Sequence, residues 1–185
     1  MGRMSAPLLL PFAQGDASMV DLLGGKGAHL AEMTRLGLPV PPGFTITTEA
    51  CREYLRNGAV PDELSGLVST AVSQLEAQSG RTFGSVSDPL LVSVRSGGKF
   101  SMPGMMETVL NVGLTDLTLP GLAARGGWRF AWDCYRRLVQ MYGHTVLGID
   151  AGTFDDLLEA TRSRYEVVDD AHLPAEALEG LVWQF

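Results

Sequence analysis

Residues 90–114 read LLVSVRSGGKFSMPGMMETVLNVGL, and this stretch decides the expected fold and the candidate site. Its apolar start, residues 90–94, predicts a buried strand that ends at Arg95. Residues 108–112 (TVLNV) predict a second strand, so the loop between them would close a β-hairpin. A loop of small residues lets backbone N–H groups approach an anion, and the arginine adds a bidentate positive charge. The stretch therefore predicts a phosphate-binding loop.

A second glycine-flanked cation lies upstream, in Gly24-Gly25-Lys26-Gly27, directly before a helical pattern. The chain has two lysines, Lys26 and Lys99, and each follows a Gly-Gly pair. The motif matches neither G-x-x-x-x-G-K-[ST] nor G-x-G-x-x-G. A lysine at a helix N-terminus favours phosphate binding, whereas the alternative is an ordinary turn with a solvated lysine. For Arg95 the alternative is a structural ion pair with one of the 21 acidic residues. Together the two cations indicate an anionic ligand, for which a nucleoside triphosphate is the preferred interpretation.

Composition excludes several classes of function. The chain has 185 residues, is 45% hydrophobic and carries a net charge of −7, as expected for a globular protein. It has no run rich in lysine and arginine, so we expect no nucleic-acid partner. Cys51 and Cys134 lack paired spacing, which disfavours a disulfide or a zinc site and favours a cytoplasmic location. The apolar run at residues 8–10 is too short for a signal peptide or a membrane span.

The periodicity predicts an α+β part over residues 1–112 and an all-helical part over 113–185. The last four residues, Val182–Phe185, are mostly apolar, which predicts that further structure follows the last helix or docks on it. In the helical pattern at 128–142, the spacing of three or four predicts that its aromatic stripe faces the core. Strands are expected within 8–23 and at 44–47, 90–95 and 108–112, and helices at 28–36, 49–56 (capped by Thr48), 62–78, 128–142, 154–165 and 175–185.

No pattern of metal ligands or of a catalytic nucleophile occurs in the sequence. The three histidines have no partner spacing; His29 is expected on the surface, His144 near a helix end and His172 in a polar turn. The serines lack a G-x-S-x-G elbow. We therefore expect no catalytic residue and no protein-ligated metal, and we assign the candidate contacts to phosphate binding. These are Lys26, Arg95, Ser96, Lys99, Ser101, Gly104 and Thr108.

Three stretches carry a resemblance to a known family. Residues 24–51 (GGKGAHLAEMTRLGLPVPPGFTITTEAC), 90–114 and 130–143 (FAWDCYRRLVQMYG) resemble, in order, the N-terminal nucleotide-binding region of the pyruvate, phosphate dikinases. The SMPGMM form of the loop is more similar to the dikinases than to the phosphoenolpyruvate synthases or rifampin phosphotransferases.

The resemblance implies the first lobe of an ATP-grasp domain with an all-helical insert. It implies that Lys26 and Arg95 contact ATP phosphates, and that the loop carrying Gly104 and Thr108 covers the triphosphate. It also implies that ATP binds with Mg²⁺. Full-length members are transferases that use ATP and phosphate to phosphorylate a histidine, and then pass that group to pyruvate to give phosphoenolpyruvate.

Parts of the family pattern are absent. The Thr-Ser-His-Ala-Ala motif of the phosphorylated histidine does not occur, nor does the second ATP-grasp lobe, from which the Mg²⁺ ligands are expected. Three interpretations stay open: an enzyme fragment completed by the remainder of a split dikinase; a standalone module that senses nucleotide or docks on a full-length dikinase; and a helical interaction domain without a ligand. Retention of Lys26, Arg95 and the 97–108 loop disfavours the third.

Overall fold

A computed structural model of the chain describes residues 6–97 and 108–185. Its contacts group these residues into two compact units, which are described separately: unit 1 holds residues 6–80 and 96–97, and unit 2 holds residues 81–95 and 108–185. Helices and two small sheets make up the described part of the chain, so the predicted α+β class is confirmed. The predicted division at residue 112 and the ATP-grasp lobe stay predictions.

Unit 1 combines a two-stranded sheet with three helices. The strands are antiparallel, and Leu9 lies opposite Ile46. Two short 3-10 turns, Phe12–Gln14 and Ala17–Met19, lead from the first strand into the first helix. The elements are β1 (Leu9–Pro11), α1 (Val20–Arg35), β2 (Phe44–Ile46), α2 (Thr48–Asn57) and α3 (Leu64–Ser79).

Helix α1 begins earlier than predicted, at Val20 and not near residue 28. It is interrupted at Gly24, whose φ of 69° and ψ of 167° are not helical. Glycine adopts a positive φ without steric cost, so the glycine-rich motif can kink the helix. Hydrophobic periodicity is interrupted at the kink, and the residues before it were therefore not predicted as helical. Beyond the kink, Ala28 and Ala31 are fully buried in the core of unit 1.

The predicted N-cap of α2 is wrong. Thr48 is already helical, and its hydroxyl donates to the carbonyl of Asp21 at 2.7 Å. The hydroxyl of the buried Thr47 donates to the carbonyl of Pro7 at 2.7 Å. Tertiary partners thus take the hydroxyls that local sequence would assign to a cap. The predicted end of the helix is confirmed, since Gly58 takes the left-handed conformation.

Unit 2 is mainly helical and contains the predicted hairpin. Helix α4 was not predicted; Pro120 lies in its first turn, a position that proline favours. A 3-10 turn at Asp170–His172 precedes the last helix. The elements are β3 (Val92–Arg95), β4 (Thr108–Val112), α4 (Leu119–Gly126), α5 (Trp128–Thr145), α6 (Ala151–Arg164) and α7 (Ala175–Val182).

Helix α5 lies at the centre of unit 2, where it packs against β4, α4, α6 and α7. Its predicted aromatic stripe faces the core only in part: Trp132 is 8% exposed, but Trp128 is 52% and Tyr142 is 47% exposed. The residues that fill the core lie beside the aromatic stripe, and they include Ala131 and Leu138. Because α5 packs against elements on several sides, its buried face is wider than the predicted aromatic stripe and is displaced around the helix from it.

The predicted buried strand is also wrong in its burial. Leu90 is buried but precedes β3, whereas Val94 within β3 is 54% exposed. A continuous apolar run suits a strand covered on both faces, but β3 belongs to a sheet of two strands. The apolar side chains of β3 are consequently left partly uncovered.

A buried ionic network ties α5 to the turn before α7. Arg136 is 2% exposed and donates to Asp133 at 2.8 Å, to Asp170 at 3.4 Å and to Gln140 at 3.0 Å. Arg129 on the same helix donates to the carbonyls of Asp170 and Leu173. Because a buried guanidinium without partners would be very costly, this network fixes the turn against α5.

The apolar end of the chain is mostly covered by unit 2 itself. Leu181 is fully buried and Val182 is 7% exposed. The ring of Phe185 meets Phe154 edge-on, with centroids 4.9 Å apart. Trp183 is the exception and is 66% exposed. The last helix therefore needs no partner to bury its main apolar face.

None of the helices in the described ranges is both long enough and apolar enough to cross a membrane.

Candidate functional site

The first candidate cation, Lys26, follows the kink of α1. The kink ends the helical geometry at Gly24, so Lys26 lies in the first turn of the helix that resumes beyond it. Gly27 packs against β2: a Cβ there would lie 2.8 Å from the Thr45 hydroxyl oxygen. Two glycines of the motif thus have structural roles, one in the kink and one in close packing. Lys26, between them, is held at a fixed place on the helix and is half-buried.

The second candidate cation, Arg95, is the last residue of β3. It pairs with Thr108, the first residue of β4, in the antiparallel register. The structure therefore brings two of the predicted contacts together as cross-strand neighbours, whose Cβ atoms in such pairs lie about 4.5–5.5 Å apart. The hairpin prediction is confirmed, with an irregularity in the pairing between Val92 and Val94.

Neither candidate cation has a carboxylate partner among residues 6–97 and 108–185. Arg95 makes one long contact, from its Nε to the Ser93 hydroxyl at 3.4 Å. The predicted alternative for Arg95, a structural ion pair, therefore finds no support in the described ranges.

Most other cations that the structure describes have structural partners. Eight arginines form ion pairs with Asp or Glu: Arg35, Arg52, Arg56, Arg81, Arg125, Arg136, Arg137 and Arg162. Arg129 binds backbone carbonyls, and Arg164 lies over the ring of Tyr165. In a protein of net charge −7, Lys26 and Arg95 are the described cations that are engaged by neither a carboxylate, a backbone carbonyl nor an aromatic ring.

Three predicted contacts, Lys99, Ser101 and Gly104, lie outside the described residues. Ser96 is described and exposed. Lys26 belongs to unit 1, and Arg95 with Thr108 belongs to unit 2. Their convergence on one phosphate group therefore stays a prediction.

Sequence reasoning missed a polar connection that anchors the hairpin to α5. Asn111 in β4 has a φ of 60°, and its side-chain amide donates to the carbonyl of Cys134 at 3.0 Å. Nearby, the Tyr135 hydroxyl donates to Asp116 at 2.8 Å. Burial, together with this hydrogen bond, raises the pKa of Tyr135 to about 12. The sequence offered one local signal for this feature, an Asn two positions before a Gly. Asn tolerates the left-handed conformation that Asn111 adopts.

No cluster of three or more His, Cys, Asp or Glu with metal-ligand geometry occurs in the parts of the chain that the structure describes. His144 contacts the carbonyl of Ile149 at 2.9 Å, in keeping with the expected role near a helix end. The two cysteines are free thiols, and burial raises the pKa of Cys134. Lys26, Arg95 and Thr108 each carry a donor group of a kind that suits phosphate oxygens.

Comparison with known proteins agrees with these features. Residues 20–81 match the family described as pyruvate phosphate dikinase, AMP/ATP-binding domain. The chain is 47% identical over 176 residues to pyruvate, phosphate dikinase of Clostridium symbiosum, covering 94% of this chain and 20% of that protein. It is 50% identical over 165 residues to the Rhizobium meliloti enzyme, covering 88% and 18%. It is 47% identical over 174 residues to the chloroplastic enzyme of Flaveria trinervia, covering 94% and 18%.

The chain thus spans about a fifth of the length of these relatives. The high identity extends over most of its residues, and the family match includes the glycine-rich motif with Lys26. The chain therefore belongs to the pyruvate, phosphate dikinase family and corresponds to the nucleotide-binding region of those enzymes.

Proposed function

We propose that this chain is the ATP-binding portion of a pyruvate, phosphate dikinase. In the whole enzyme, ATP, phosphate and pyruvate would be converted to phosphoenolpyruvate, AMP and diphosphate. The proposal assigns ATP phosphates to Lys26, Arg95 and the 97–108 loop. The observation that carries it is that Lys26 and Arg95 make no ion pair with a carboxylate in the described ranges, whereas eight of the other described arginines do.

Each proposed contact has a distinct chemical task. Lys26 would offer a compact ammonium beside the start of a helix, where backbone N–H groups and the helix dipole also favour an anion. Arg95 would offer a planar fork that matches two phosphate oxygens. Thr108, opposite Arg95, would add a hydroxyl donor at the same end of the hairpin. Other parts of a dikinase would hold Mg²⁺, which would supply positive charge against the phosphates.

This chain alone is proposed to bind ATP weakly and to transfer no phosphoryl group. Phosphoryl transfer depends on metal, positioning and preorganised charge around the reacting phosphate. The described residues supply two cations but no carboxylate cluster for a metal. A dikinase activity would then need the remainder of the enzyme, supplied either by the same polypeptide or by a separate chain. A cytoplasmic location fits the reduced cysteines and is part of the proposal.

A standalone nucleotide-sensing module is the second candidate, and one observation favours it. Unit 2 buries its own core, including the apolar face of α7, without another polypeptide. A chain that covers its core in this way can serve as a separate module that binds nucleotide or docks on a full-length dikinase. Both candidates share the same proposed ATP contacts.

Calorimetric titration with Mg-ATP tests the proposal. We expect a dissociation constant above the micromolar range, weakened roughly tenfold or more by Lys26→Met or Arg95→Gln, because each removes charge-assisted hydrogen bonds worth about 1.5–3 kcal/mol. Arg164→Gln is the matched control, since Arg164 is also exposed and has no carboxylate partner in the described ranges. Sub-micromolar affinity, ATP hydrolysis lost in Lys26→Met, or equal binding by all three variants would refute the assignment.

A further inference from the structure

An apolar groove of about 510 Å³ opens on the surface of unit 2. It lies between the β3–β4 hairpin, the C-terminal half of α5 and the end of the chain. Its lining includes Val94, Val109, Tyr142, Val146, Leu147 and Phe185.

Among the residues that the structure describes, those lining the apolar groove include no charged side chain. One of its two tyrosines, Tyr135, already donates its hydroxyl to Asp116. Phosphates and other anions need several donors or cations, whereas the described lining side chains offer no cation and, besides Tyr135, only the hydroxyl of Tyr142. The chemistry of the walls therefore selects a hydrocarbon surface and excludes the triphosphate of a nucleotide.

The rim of the apolar groove is unusually exposed for aliphatic and aromatic side chains. Val94 is 54%, Tyr142 47%, Val146 54% and Leu147 63% exposed. Val94 lies directly opposite Val109, which is only 7% exposed. The side chains that bury Val109 therefore leave Val94 largely uncovered. Large contiguous apolar surfaces of this kind mark sites of association.

Either a second copy of this chain or a helix from another segment could cover this surface, and the shape of the groove distinguishes between them. In a symmetric dimer the same patch meets itself, so a groove centred on the two-fold axis would face its own copy and leave a void. Complementary packing instead requires a convex element with an apolar face. An amphipathic helix supplies such a face through anchors spaced three or four residues apart, and docks in grooves of this kind.

The relatives supply a source for such an element. This chain covers 20% of the Clostridium symbiosum enzyme and 18% of the Rhizobium meliloti enzyme, so about four fifths of each relative lies outside the match. We propose that the apolar groove of unit 2 receives an amphipathic helix contributed by the remainder of a pyruvate, phosphate dikinase. This inference rests on the proposed function, because it takes the rest of that enzyme as the partner.

The test is binding in the absence of nucleotide, with a defined probe. The probe is the Clostridium symbiosum enzyme from which the region matching this chain has been removed. Sedimentation velocity and calorimetry should show a 1:1 complex with the full chain. Leu147→Asp should weaken that complex at least tenfold, because it places a charge in the apolar groove. Val168→Asp is the matched control: Val168 is 92% exposed, belongs to unit 2 and does not line the groove, so binding should stay within twofold.

A second measurement locates the contact. Val146→Cys introduces a thiol at the rim, and its alkylation should slow at least fivefold when the probe is bound, whereas that of the exposed Cys51 in unit 1 should not change. Absence of a complex, equal weakening by Val168→Asp, or unprotected Cys at residue 146 overturns the proposal. So does self-association of the chain that Leu147→Asp abolishes, since a second copy would then be the occupant. If the probe does not bind the chain but Mg-ATP does, this inference is wrong and the proposed ATP contacts stand.

Discussion

The packing of Gly27 against β2 leads to a prediction that separates helix propensity from tertiary packing. Gly27 lies in α1 with ordinary helical geometry, because the non-helical residue of α1 is Gly24. A Cβ at Gly27 would lie 2.8 Å from Oγ1 and 3.1 Å from Cγ2 of Thr45, and 3.1 Å from Cβ of Leu23. Thr45 is β-branched and lies in a strand, so it cannot rotate both heavy atoms away.

The magnitude follows from two opposed effects. Replacing glycine by alanine inside a helix stabilises it by up to about 1 kcal/mol. Overpacking a tight contact costs about 1–3 kcal/mol. Gly27→Ala should therefore destabilise unit 1 by as much as about 2 kcal/mol. Because α1 must shift away from β2, Lys26 should move with it and ATP binding should weaken.

A second glycine provides the control. Gly66 in α3 has no heavy atom within 4 Å of an added Cβ, so Gly66→Ala should leave stability unchanged or raise it. Urea unfolding by circular dichroism, with hydrogen exchange of the α1 amides, measures both variants. Thr45→Ala should restore part of the loss in Gly27→Ala, because it removes both atoms of Thr45. If Gly27→Ala stabilises α1 as much as Gly66→Ala stabilises α3, the close packing described here is wrong.

Two further predictions concern unit 2. Arg136→Ala should destabilise it by about 1.5–3 kcal/mol, because the buried guanidinium and its hydrogen bonds to Asp133 and Asp170 are lost. Arg137→Ala removes a side chain that is 51% exposed and should cost under about 1 kcal/mol. Tryptophan-monitored urea unfolding measures both variants, and equal losses would contradict the buried network. Because the pKa of Tyr135 is raised from 10.0 to about 12 in the folded state, the folded protein holds this proton more tightly, so stability should be intact below pH 10 and should fall as the pH rises towards 12. Tyr135→Phe should remove that part of the decline, and an unchanged pH profile would show that neither burial nor the hydrogen bond to Asp116 raises the pKa of Tyr135.

Elements with strong local signals were predicted well from sequence. The β3–β4 hairpin, helix α5 and the glycine ends of α2 and α3 all appeared where periodicity and turn residues placed them. Arg95 was also predicted correctly at the end of a strand, because an arginine that ends an apolar run can be recognised from the sequence alone. The interpretation of Lys26 as a residue of an early helical turn rested on the adjacent glycines in the same way.

The misses share a physical cause. Helix α1 continues through the Gly24 kink, and the hydroxyls of Thr47 and Thr48 bind carbonyls of Pro7 and Asp21 that lie 40 and 27 residues away in sequence. These hydrogen-bond partners meet only in the folded chain, so the residues next to Thr47 and Thr48 in sequence do not indicate them. The exposure of Val94 was misjudged for a related reason: an apolar run shows that a strand is suited to burial, but not how many neighbours will cover it.

Sequence by itself determined that this chain is α+β, that it belongs to the dikinase family, and that Lys26 and Arg95 stand in glycine-rich surroundings suited to phosphate. Tertiary structure decided which cations are free of carboxylates, which apolar side chains stay uncovered, and that Arg95 faces Thr108 across the hairpin. The reason is that residue type and spacing fix local conformation, whereas the pairing of charges and the covering of apolar surface depend on segments that are distant in the chain and meet only in the folded molecule.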